Sequence, residues 1–228
     1  MYSITRFFIA SAAIVFLNPV GEVSAANLVI NGSMTGTPAI TTPPPGWTSI
    51  NTDGDTIPVG GLNGWATGIG ASPDGGTFLA ILNNGSGGAF DATAQYVYGF
   101  TVGLTYTLEF SYANIGLDQT AASNYANSGF VRVNIAGIDF DTPVLAHDGF
   151  GSQQWFHFSE TFIATAPDMY LTFTAMRPNN AIGGYAGGID GVFIAAVPEP
   201  STIALLSLGL VMIAGHSRRR NILQMRAC

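Results

Sequence analysis

Few side chains in this sequence are of types that could carry a reaction. Glu109 and Glu160 are the only glutamates between residues 26 and 196. A pair of carboxylates at the right separation can cleave a glycosidic bond as acid and base. Each of these two, however, falls on the polar side of an alternating run with no catalytic signature around it, and a solvated strand face accounts for both. His147-Asp148 could offer metal ligands from a loop, and neither His147 nor His157 has a serine-nucleophile signature nearby. The Gly-x-Ser-x-Gly elbow, the His-Glu-x-x-His pair and the phosphate-binding loop are all absent. The one cysteine is Cys228, so no thiol in the body of the chain is available for nucleophilic work. The residues read as non-catalytic.

Oxygen donors and exposed aromatics are the other candidates. Asn51-Thr52-Asp53-Gly54-Asp55-Thr56 alternates like the start of a calcium loop. Thr56 stands where such a loop needs its glycine, and Leu62 where it needs its glutamate, so an acidic turn is expected instead. Trp65, Tyr125 and Tyr185 lie in predicted loops, where binding residues concentrate. They are the candidate platforms for stacking on sugar rings. Trp47 and Trp155 read as structural plugs at the ends of the fold.

The elements that must position these residues are short strands. In residues 105–112 Tyr106, Leu108, Phe110 and Tyr112 share one side, and Thr105, Thr107, Glu109 and Ser111 the other. That period of two marks a half-buried strand. The same alternation runs through Val131, Val133 and Ile135, through Phe156, Phe158 and Phe162, and through Met169, Leu171, Phe173 and Ala175. Further strands are expected over 27–30, 77–82, 95–102 and 190–197. About eight strands with turn residues between them, no helical period and no internal repeat point to a single all-β sandwich over residues 26–196. Residues 41–46 read as an extended connector and 60–76 as a long surface loop.

Both ends have a different character. Arg6 followed by the apolar run 7–17, then Pro19, Gly21 and the small residues before Ala26, reads as a secretory signal over residues 1–25. The run is too short for a bilayer span, which takes about 20 residues. Residues 201–215 are again apolar, and Arg218, Arg219 and Arg220 follow at once. The formal net charge is −7, there is no lysine, and Arg132 and Arg177 are the only arginines between the two ends. A nucleic-acid surface needs clustered cations and is excluded.

Directly before the apolar run stands Val197-Pro198-Glu199-Pro200. Motif, short transmembrane helix and arginine cluster in this order, over 197–228, resemble the PEP-CTERM sorting signal of Gram-negative bacteria. The resemblance implies export through the inner membrane, transient anchoring there, and processing by an exosortase-type enzyme. The destination it implies is the cell surface or an exopolysaccharide (biofilm) matrix.

A second resemblance rests on Asn31-Gly32-Ser33, Pro45-Gly46-Trp47, the run 103–108, Trp155 and Gly187-Gly188-Ile189-Asp190-Gly191-Val192. These landmarks resemble jelly-roll, galactose-binding-like and carbohydrate-binding domains. That family implies a structural Ca2+ held by oxygen ligands, with Asp190 at the late position and Asn31 in the early run, where the usual carboxylate is missing. The expectation is a non-catalytic surface protein that binds glycan or matrix. A glycan hydrolase on the same fold, or a structural protein without a ligand, are the alternatives.

Overall fold

The computed structural model describes residues 26–62, 64, 66, 69–83, 90–116, 127–146, 154–178 and 184–197. The expected signal segment, Pro198 and the rest of the sorting tail, Trp65, Tyr125 and His147-Asp148 lie outside them.

Ten strands form: β1 (Thr48–Asn51), β2 (Asp55–Pro58), β3 (Thr77–Asn83), β4 (Ala92–Tyr98), β5 (Thr105–Asn114), β6 (Phe130–Ile135), β7 (Ile138–Asp141), β8 (Phe156–Ile163), β9 (Asp168–Met176) and β10 (Tyr185–Ala196). They make two five-stranded antiparallel sheets, ordered β1-β4-β9-β6-β7 and β2-β3-β10-β5-β8. The fold is an all-β jelly-roll sandwich.

The alternating runs fix which face is inside. Leu108, Phe110, Val131, Val133, Leu171, Phe173, Ile189 and Ile194 are fully buried between the sheets. Burying one such side chain is worth roughly 1.5–3 kcal/mol. Phe100, Tyr106 and Phe162 meet ring to ring and plug one end. A second, smaller cluster lies on the outside of the other sheet: Ile57, Phe78, Ala80, Ala113, Ile115 and Ala186, with Leu62, Ala66, Ile69 and Trp155 packed over it. Residues 60–76, expected as a plain surface loop, therefore help to cover a core. Trp155 stacks edge-on against Phe78 at 5.2 Å on this outer face instead of plugging an end. Trp47 does sit in the main core, against Phe173.

Three strands were not expected, namely β1, β2 and β7. Conversely, residues 27–30 form no strand. There the Asn27 side chain does a ladder's work: its Oδ1 accepts from the Val29 and Ile194 amides, and its Nδ2 donates to the Val192 carbonyl. β4 begins earlier than expected and stops at Tyr98, where Gly99 turns to φ 92°.

Candidate functional site

The outer face of the β1-β4-β9-β6-β7 sheet carries the densest group of exposed aromatics among the described residues. Tyr96 on β4 pairs directly with Tyr170 on β9, and Tyr98 pairs with Asp168. Because successive residues of a strand alternate sides, Tyr96 and Tyr98 emerge on one face, two residues apart. Tyr96 is the hub: its ring centroid lies 4.8 Å from that of Tyr98 and 4.7 Å from that of Tyr170, both edge-on. Tyr98 is 58% exposed and Tyr170 62% exposed. Edge-on packing fixes the cluster while leaving both rings open to solvent. The Tyr96 hydroxyl is pushed above the ordinary tyrosine pKa, first by desolvation, then by Asp168 and the two neighbouring tyrosines. It stays a neutral phenol, able to donate as well as accept.

Polar side chains continue the same face. Thr172 lies opposite Ala94 and Asn134, and Thr174 opposite Arg132. Arg132 is held by Asp141 through two bonds of 2.7 and 2.8 Å, and by Asp139 at 3.6 Å. Asn134 donates to Asp139 at 2.6 Å. The guanidinium is thus engaged by two carboxylates, which raise its pKa further. With Asp168 beside the tyrosines, the face carries one tied cation against three carboxylates. An aromatic platform edged by hydroxyl, amide and carboxylate groups can stack on the apolar side of a sugar ring and bond its hydroxyls. Exposed aromatic groups gathered in this way mark binding surfaces.

The residues expected from sequence are distributed otherwise. Tyr185, expected as a loop platform, is the first residue of β10 and fully buried. Its ring rests on Gly129, where any Cβ would collide with it. A ring without an exposed face offers no platform. Its hydroxyl is buried without a hydrogen-bond partner, and burial drives its pKa far up. Glu109 and Glu160 stand on opposite faces of the β5–β8 pair: Glu109 lies across from Ser159, and Glu160 from Leu108. They cannot flank one scissile bond.

Asp190 and Asn31, expected to share a calcium, have separate surroundings. Asn31 organises its own turn, donating to the Thr35 and Pro45 carbonyls and accepting from the Thr35 amide. Asp190 is fully buried; its Oδ2 accepts from the Ser72 hydroxyl and, at 3.0 Å, from the Asp74 amide. Its Oδ1 makes no hydrogen bond of good geometry, and the Asp74 carboxylate lies beside Gly191. Burial raises the Asp190 pKa, the Ser72, Asp74 and Gly191 hydrogen bonds oppose that rise, and the Asp74 charge adds to it. An orphaned carboxylate oxygen with a second carboxylate and a hydroxyl close by is hard-cation chemistry. Among the described residues, no three His, Cys, Asp or Glu side chains converge as a metal site. The donors that fit a cation are Asp190, Asp74 and Ser72, without Asn31.

Residues 196–220 match the PEP-CTERM protein-sorting motif. The chain carries a PEP-CTERM sorting tail. That motif implies export, transient membrane anchoring and processing by an exosortase-type enzyme. The match concerns the tail and leaves the β domain to be read from its own residues. No curated protein matches the sequence. Solved structures share the fold. An arabinose-bound family-51 α-L-arabinofuranosidase superposes with a TM-score of 0.50 at 14% identity over 75% of this chain. The family-61 carbohydrate-binding module in complex with β-1,4-galactotriose gives 0.46 at 10% identity, covering 76% of this chain and all of that one. The enzymatically active domain of bacteriophage CBA120 tailspike protein 4 gives 0.45 at 13% identity over 75% of this chain. This chain spans 21% of that tailspike chain and 26% of the arabinofuranosidase.

Proposed function

We propose that the protein is a non-catalytic, exported glycan-binding protein, delivered by an exosortase-type system to the cell surface or extracellular polysaccharide of a Gram-negative bacterium. The observation that carries this reading is the Tyr96–Tyr98–Tyr170 cluster on an open sheet face. Tyr98 and Tyr170 stack on sugar rings, while Tyr96 holds them in place. Thr172, Asn134 and Asp168 bond the hydroxyls. Since the one arginine on the face is tied to Asp141 and Asp139, nothing there balances a ligand's negative charge, and the ligand is a neutral glycan.

The test is retention of the full chain on immobilised neutral glycans and on isolated exopolysaccharide, beside the Tyr98→Ala, Tyr170→Ala double variant. Both rings are largely exposed, so the variant keeps its thermal midpoint and loses retention. Equal retention by both proteins, or none by either, would falsify the reading.

Asp190, Asp74 and Ser72 are the proposed ligands of a structural Ca2+, whose charge would relieve the buried, half-satisfied carboxylate. Calcium then raises the thermal midpoint, a chelator lowers it, and Asp190→Asn abolishes the difference. A midpoint indifferent to calcium excludes the site.

A further inference from the structure

We propose that the end of the sandwich from which the tail leaves is a bilayer-docking surface, seated on lipid for as long as the tail is in the membrane. The proposal rests on the tail acting as an anchor. The last described residue, Val197, still donates its amide to the Thr105 carbonyl at 2.9 Å, so the chain is pinned to the sheet through Val197. In the sequence the sustained apolar run begins at Ile203. Six residue steps reach at most about 20 Å, and two prolines shorten the useful slack. The domain's exit end is therefore confined to the neighbourhood of the headgroups.

That end is dressed for such a neighbour. Ile163 pairs with Thr105, which puts Val197, Thr105 and Ile163 in one row across β10, β5 and β8. Val197 is 38% exposed and Ile163 56%. Val102, 58% exposed, sits in the neighbouring β4–β5 turn, which Gly103 closes by donating to the Ala164 carbonyl. On the other sheet Tyr98 ends β4 at the same end, where Gly99 and Phe100 donate to the Pro167 carbonyl. Branched aliphatic side chains with a tyrosine beside them suit an interface that is apolar below and wet above. No arginine stands in the row or the turn, so the contact is apolar and does not call on anionic lipid. Each side chain contributes little, but tethering keeps the surface at high effective concentration beside the membrane, and a weak contact suffices.

The experiment uses the full chain with Cys228→Ser, so that a single new cysteine can be labelled with bimane. Val102→Cys and Ile163→Cys report the exit end. Val144→Cys, 52% exposed at the far end near the Gly129–Leu145 bridge, is the control. Each protein is placed in phosphatidylcholine nanodiscs with or without brominated acyl chains. Brominated lipid is expected to quench emission at 102 and 163, to leave 144 unchanged, and to act equally when phosphatidylglycerol is mixed in. Co-elution with nanodiscs and no quenching at either exit position overturns the docking proposal while leaving the anchor intact. Failure to co-elute overturns both.

Discussion

Tyr170 and Tyr185 have the same side chain and opposite fates, set by strand face and by what stands opposite the ring. Tyr170 stands on the outer side of β9 with most of its ring in water, whereas Tyr185 enters β10 fully buried against Gly129. The outer tyrosines were legible in the sequence: Met169, Leu171 and Phe173 claim the inner side of their strand, so Tyr170 stands where a polar residue is the rule, and Tyr96 and Tyr98 flank Val97 in the same way. A platform carried on a strand is marked by an aromatic at a polar position of the alternation and not by a loop composition. The burial of Tyr185 was not legible, because it depends on Gly129, far away in sequence, leaving room for the ring. A buried hydroxyl without a partner costs about 1–3 kcal/mol. Tyr185→Phe is therefore expected to raise unfolding stability by about 1 kcal/mol in urea titration and to leave glycan retention untouched. Gly129→Ala drives a methyl group into the ring and lowers stability. A Tyr185→Phe protein that loses retention would return that residue to the binding site.

At the scale of elements, alternation revealed the strands that line the main core and missed those held by something else. β7 carries Asp139 and Asp141, poor strand formers, and is kept at the sheet edge by Arg132 and Asn134 across the ladder. β2 ends in Pro58 and is buried on both faces, by residues from 60–76 over Ile57 and by residues 36–42 against Asp55 and Thr56, which no local pattern announces. The β6–β7 hairpin turns on Ala136 and Gly137, both left-handed at φ 56° and 75°, between paired Ile135 and Ile138. Two central residues of positive φ define the mirror-image turn that matches strand twist, and alanine is poorly suited to its first position. Ala136→Asn supplies the preferred Asn-Gly pair and is expected to stabilise by about 0.5–1 kcal/mol, read as a raised urea midpoint at unchanged slope. A lowered midpoint would mean that the alanine methyl makes a contact worth more than the strain.

Charge acts at the scale of the whole molecule. Residues 26–196 hold twelve carboxylates against Arg132 and Arg177, and among the described residues three of those carboxylates, Asp55, Asp91 and Asp190, are buried. Desolvation is the first cause of a raised pKa in each. Asp91 reaches about 6: burial, Asp53 and Asp55 raise it, against hydrogen bonds from Thr52 and the Leu82 amide. A group that binds its proton more tightly folded than unfolded stabilises the fold below its unfolded pKa of 3.8 and loses that contribution as pH rises through about 6. The protein is thus expected to gain stability on acidification from pH 7 to 5, about 1 kcal/mol from Asp91 alone, opposite to ordinary acid unfolding. Asp91→Asn can keep both contacts: its carbonyl accepts from the Leu82 amide, and its amide donates to Thr52, whose hydroxyl turns to the Phe90 carbonyl. That variant should be more stable than the parent at pH 7 and show a flatter profile. A parent whose thermal midpoint falls steadily from pH 7 to 5 would show that these carboxylates are ionised and satisfied in the fold, and that the acidic interior is held together by something other than protons.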